Sequence, residues 1–264
     1  MRLPSRHLSL TATALCTALA LSACKTTNST DTTGSVASAS RTETDWRRDA
    51  EIWGQRYRQN QRDPEAAVRY AQALRATGQR SQAAAVLEQA AIYNPKNTTV
   101  LGAYGRALAD IGSFQQALDV LSRAHTPDQP DWRVLSAQGA VLDQMGRHQE
   151  AQRHYSAALK IMPDEPSVLS NLGLSYALSK NLRQAEETLR RANAQPGAEP
   201  RVRQNLALVV GLQGRFAEAE AIARGDLSPD EAAANVAYLR QMLAEEKEAG
   251  RKRPGRALRQ AANS

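Results

Sequence analysis

The hydrophobic pattern of this chain recurs every thirty-four residues. Pro64, Thr98, Trp132, Pro166 and Pro200 open five consecutive blocks. Within a block, apolar or small residues fall near positions 4, 7, 8 and 11, as in Leu101, Tyr104, Gly105 and Leu108. Spacings of three and four put them on one face of a helix. A second such face uses positions 20, 24 and 27: Ala83, Leu87 and Ala90 in the first block, Ala185, Leu189 and Ala192 in the fourth. Position 15 is glycine in every block but one, where Lys180 stands. Glycine suits the left-handed turn that ends a helix. Pro95, Pro163 and Pro196 stop the second helix before the next block. The pattern predicts an all-α solenoid of five helical hairpins, 64–97, 98–131, 132–165, 166–199 and 200–226.

Position 20 is alanine in all five blocks, and position 8 is always alanine or glycine. Two antiparallel helices approach closely only where no side chain intervenes, so a larger residue there costs about 1–3 kcal/mol in strain. The exposed flanks of such a stack need covers. Ile52, Trp53 and Tyr57 give an apolar face to a capping helix over 45–60. At the other end Ser228-Pro229-Asp230-Glu231 starts a helix, with a capping serine, proline in the first turn and acids at the positive dipole end. It is expected over 229–249, ending at Gly250, with 250–264 a disordered basic tail. The ordered region is thus 45–249.

The first 23 residues read as a secretory signal. Arg2 and Arg6 precede an apolar run, Leu8 to Leu21, too short to span a bilayer. It closes on Leu21-Ser22-Ala23-Cys24, which resembles the lipobox of bacterial lipoproteins. That resemblance implies cleavage before Cys24 and acylation of its thiol and new amino group. Several acyl chains anchor lastingly, because each buried methylene contributes about 0.8 kcal/mol. By the same resemblance, Lys25 after the cysteine points to the outer membrane, with the protein facing the periplasm. Residues 24–44, mainly Ser, Thr and Ala beyond the cysteine, read as a flexible tether.

Cleavage removes Cys16 and leaves Cys24 as the sole cysteine, so no disulfide or thiolate metal site forms within one chain. The net charge of +7 belongs to the two ends: the leader holds Arg2 and Arg6, and the stretch from Lys247 holds six basic residues against Glu248. Residues 24–246 are balanced, and no nucleic-acid partner is expected. The tail has two readings, a solubilising terminus or a contact with an anionic surface. No Gly-x-Ser-x-Gly, phosphate-binding loop or His-x-x-x-His occurs. No catalytic residue, cofactor or metal is expected, and the chain reads as a non-enzyme.

Leu172-Gly173, Tyr176, Ala185, Leu189, Ala192 and Pro196 match the tetratricopeptide-repeat pattern, as do the other blocks in register over about 64–224. Lipobox, tether, repeats and a closing stretch with Gln204-Asn205-Leu206-Ala207-Leu208 and Ala232-Ala233-Ala234-Asn235 together resemble the repeat lipoproteins of tight-adherence (Flp) pilus assembly. The resemblance implies a role in assembling or stabilising the outer-membrane secretin of that pilus or a type II-like secretion apparatus. The alternative is a general envelope adaptor recruiting cell-wall enzymes or serving another pilus or secretion system.

In this fold the first helices line a concave groove with positions near 2, 5, 6, 9, 12 and 13. That offers a charged half, including Arg75, Arg106 and Asp143, and an apolar half flanked by amides: Ser170, Asn171, Leu174, Gln204, Asn205 and Leu208. An amide at position 6 suits the backbone of an extended protein partner. Alternatively, the leucines receive the closing helix or a neighbouring repeat.

Overall fold

The computed structural model describes residues 41–126 and 128–261, with side chains through 248. The signal, Cys24 and the tether up to residue 40 lie outside the described residues. The rest is helical: α1 Glu43–Gln59, α2 Pro64–Ala76, α3 Arg80–Tyr93, α4 Thr98–Asp110, α5 Phe114–Ser122, α6 Trp132–Gln144, α7 His148–Ile161, α8 Pro166–Leu178, α9 Leu182–Asn193, α10 Pro200–Leu212, α11 Phe216–Ala223 and α12 Pro229–Ala261. Pairs α2–α3 to α10–α11 are the five hairpins. Each block's opening residue is the first residue of a helix.

Local chemistry sets these boundaries. The carboxylate or amide oxygens of Asp63, Asn97, Asp131 and Glu165 accept from backbone N–H groups in the first turns of α2, α4, α6 and α8. Such caps satisfy donors a helix start leaves free. α1 begins two residues before the expected start, because Thr42 and Asp45 form a reciprocal capping box. At the hairpin turns, the position-16 N–H donates to the position-11 carbonyl in all five repeats, as in Gln79 to Leu74 (2.8 Å) and Asn181 to Tyr176 (2.8 Å). The residue between swings to positive φ, 75–83° at Gly78, Gly112, Gly146 and Gly214.

Packing within a hairpin depends on the small positions. All five position-20 alanines are 0 % exposed. A Cβ added at Gly139 would lie 2.7 Å from the Tyr155 ring, and one at Gly173 2.6 Å from Leu189. Position 3, which the apolar spacing did not single out, is buried in every repeat as Ala66, Val100, Val134, Val168 and Val202. It serves the joint between repeats: Val134 lies 3.6 Å from where a Cβ on Gly102 of the previous first helix would be.

The backbones of successive first helices α2, α4, α6, α8 and α10 approach one another closely, whereas those of successive second helices do not. The first helices therefore form the inner side. At the N-terminal end α1 covers α2, with Tyr57 and Trp53 joining the core. At the other end α12 lies on α10 and α11 through Ala232, Val236 and Leu239. It does not stop at Gly250 as expected but continues to Ala261, into the stretch read as a disordered tail. Gly250 alone costs a helix only about 1 kcal/mol relative to alanine, and the preceding turns are rich in Ala, Glu and Lys, whereas local propensity gives no reason for the run past Pro254 and Gly255.

Candidate protein-binding groove

The inner side holds an open groove of about 790 Å³ centred on α6. Its walls are built from the expected positions: Arg133, Ser167 and Arg201 at position 2, Ser136 at 5, Ala137 and Asn171 at 6, Arg106 and Ala140 at 9, Arg75 at 12, Asp110 and Gln144 at 13. Trp132, at the start of α6, also lines it, with the Arg133 guanidinium stacked 4.4 Å from its ring centroid. Arg75 forms an ion pair with Asp110 of the next repeat. Burial, with the neighbouring Arg75 charge, pushes the Arg106 pKa below its ordinary value.

The expected site residues separate into three groups. Arg75, Arg106 and Asn171 do line the groove. Asp143 does not. Its side chain is only 8 % exposed and is held by three neighbours: Ser175 Oγ donates to it (2.8 Å), the Tyr155 hydroxyl donates to it (3.1 Å), and His148 Nδ1 lies 2.8 Å away. These bonds tie α6 to α7 and α8. Burial and the adjacent Asp143 charge push the Tyr155 phenol far above its ordinary pKa.

Ser170 is also structural, being 1 % exposed and accepting a 2.9 Å hydrogen bond from the Asn205 amide of the next repeat. Asn171 makes the equivalent bond to Ser136, at 3.4 Å. The position-6 amides are thus partly engaged in a ladder between first helices. Leu174, Gln204 and Leu208 lie outside this cavity, with Gln204 exposed and the two leucines half-buried. The enclosed part of the inner side has a cationic centre that reaches to Arg201. α12 meets α10 at Ala207 and Gly211, not over this centre. Arg133 and Arg201 were missed as site residues, although position 2 was an expected groove position and both carry the same residue there.

Elsewhere, the Nδ1 atoms of His125 and His154 are buried without hydrogen-bond partners among the described residues. Burial, then the nearby His125, lowers the His154 pKa. Among the described residues no group of three or more His, Cys, Asp or Glu side chains could hold a metal ion.

Hairpins closed by left-handed turns, sealed by alanine and lined by a groove of first helices define a tetratricopeptide-repeat solenoid, a scaffold for protein interaction. Known proteins agree with this. The tetratricopeptide-repeat family profile matches residues 144–209 and, in a second form, 200–224. A profile described as anaphase-promoting complex, cyclosome, subunit 3 matches residues 47–124. PilW, a widely conserved type IV pilus biogenesis factor, superposes with a TM-score of 0.61 at 16% identity, over 73% of this chain and 91% of that one. A chain of the APC/C hetero-tetramer Cut9-Hcn1 superposes with a TM-score of 0.59 at 17% identity, over 73% of this chain and 40% of that one. At these identities the likeness is one of fold. No curated protein sequence matches the chain.

Proposed function

We propose that this chain is a lipid-anchored scaffold of the outer membrane, facing the periplasm, that assists assembly or stability of a tight-adherence pilus or type II-like secretion apparatus through its secretin, in the manner of TadD. The observation that carries the scaffold role is the open inner groove, whose arginines and amide converge from all five repeats on space that the described residues leave empty. The envelope location rests on the signal and on Cys24, and the pilus assignment on the resemblance of the whole arrangement. PilW, a pilus biogenesis factor, is built on the same hairpin stack, so the fold is compatible with such a task. Among the described residues no helix is long and apolar enough to cross a membrane, and acylated Cys24 supplies the anchor in this reading.

Deleting the gene and following secretin multimers and surface pili tests the proposal. Both are expected to be depleted, and restored by the wild-type chain. Cys24→Ser should move the protein into the soluble envelope fraction. Unaltered pili in the deletion strain would refute the pilus role, and a Cys24→Ser protein still in membranes would refute the anchor.

A further inference from the structure

The groove carries an unbalanced charge. Four guanidinium groups line it, Arg75, Arg106, Arg133 and Arg201, against the single carboxylate of Asp110, which Arg75 already occupies. Arg106 and Arg201 make no ion pair or hydrogen bond among the described residues, and the Arg133 guanidinium only stacks on Trp132. On α9 and in the turn before α11, by contrast, Arg190, Arg191 and Arg215 each meet a carboxylate within 2.7 Å. Arg106 is also largely withdrawn from water, and this burial, then the nearby Arg75 charge, lowers its pKa despite the opposing pull of the Asp131 and Asp110 carboxylates. A ligand carboxylate would relieve both penalties, forming charge-assisted bonds with guanidinium forks. The Trp132 ring fixes the direction of one such fork.

Position distinguishes between possible anions. Arg106 belongs to the second repeat, Arg133 to the third and Arg201 to the fifth, so one small anion cannot reach them all. A flat lipid surface cannot follow a groove on the inner side of the stack. An extended chain bearing several carboxylates can do both. Asn171 stands among the cations, and its carbonyl oxygen accepts no hydrogen bond among the described residues, leaving it free for a backbone N–H.

On this basis, and resting on the scaffold reading above, we propose that the groove holds an extended acidic segment of a partner protein, its Asp and Glu side chains seated on Arg106, Arg133 and Arg201.

The test uses the full chain in detergent and a fluorescein-labelled ten-residue peptide rich in Asp and Glu, with an Asn/Gln counterpart, read by anisotropy. The acidic peptide should bind, weaken as salt rises, and outcompete the neutral one. Arg133→Gln and Arg201→Gln should each weaken it about tenfold at low ionic strength, with unchanged melting. Replacing Arg251, Lys252 and Arg253 by Gln should leave affinity unchanged. If Arg133→Gln unsettles the fold by removing its stack on Trp132, the exposed Arg201 carries the test alone. Equal binding of both peptides, undiminished binding by Arg201→Gln, or loss of binding in the tail variant would overturn the proposal. So would groove variants that lose only phosphatidylglycerol vesicles. The peptide assay involves no pilus, so intact pili in a deletion strain would remove the pilus reading and leave this one standing.

Discussion

Lys180 occupies the one turn where this chain departs from its own rule. At position 15 the backbone must turn left-handed to pass the position-16 N–H back to position 11, and Lys180 does so with φ of 64°. A side chain in that region costs about 1–2 kcal/mol, because its Cβ crowds the following carbonyl. Gly78, Gly112, Gly146 and Gly214 carry no such cost at the same place. Lys180 itself is exposed, and its side chain makes no ion pair among the described residues. Lys180→Gly should therefore stabilise the fold by about 0.5–1 kcal/mol, after the extra unfolded-state entropy of glycine is subtracted. In a thermal melt that is a rise of about 1–4 °C. A fall in melting temperature would mean that the lysine makes a contact worth more than the strain. This constraint was legible in the sequence, since four glycines in register name the conformation. The buried position 3 was not: a small alanine or a valine one residue from an apolar position looks like the edge of a face, until the neighbouring repeat is seen to cover it.

Between elements, hydrogen bonds fix what the apolar pattern leaves open. Glu186 on α9 accepts from Arg190 on its own helix, from Gln213 (2.8 Å) and from Arg215 (2.6 Å) at the α10–α11 turn. Burial alone would raise its pKa, but these donors outweigh it and hold it at about 2, below the ordinary 4.5. A depressed carboxylate stabilises the folded state fully above its unfolded pKa, and loses that contribution as pH falls through the folded one. The fourth and fifth repeats should therefore lose stability between about pH 4.5 and pH 2. Glu186→Gln should cost about 1 kcal/mol near pH 7, allowing for solvent screening of the arginines, and almost nothing near pH 2. Melts of both proteins across that range would show it, and a gap constant with pH would contradict it. The Asp143 bonds show why such links escape a reading of the sequence. Position 12 faces the inner side in the repeat geometry, so Asp143 read as a groove residue. What turns it away is Tyr155, standing where three other repeats have leucine, together with Ser175 from the next hairpin. The same limit hid the bonds from Asn171 to Ser136 and from Asn205 to Ser170, because each amide reads as free until the preceding repeat's serine is in place. Periodicity tells which positions face inward; it does not tell which are already satisfied.

At the scale of the whole molecule, stability is distributed, because each hairpin touches only its neighbours and the covering helices. The two covers are unequal. Tyr57 and Trp53 of α1 join one continuous core running through α2 to α6. α12 instead closes a set of smaller clusters through Ala232, Val236 and Leu239. Beneath it, α11 has only eight residues, and no side chain caps its start. Deleting residues 229–264 should thus loosen α10 and α11 first, exposing Ala207, Gly211 and Ala223, while the hairpins from 64 to 161 keep their protection. Hydrogen exchange read by mass spectrometry would show fast exchange over about 200–223 and near wild-type rates across α2 to α7. Uniform loss of protection would instead mean that the repeats unfold as one cooperative block. The distinction bears on the groove, whose cations are shared between the first three hairpins and the fifth. Arg201 sits on the first turn of α10, so a loosened α10 would cost the groove that guanidinium while Arg106 and Arg133 stayed in place. The truncated chain should then bind the acidic peptide like Arg201→Gln, weakened about tenfold but not abolished, which would tie the closing helix to the groove through α10 alone.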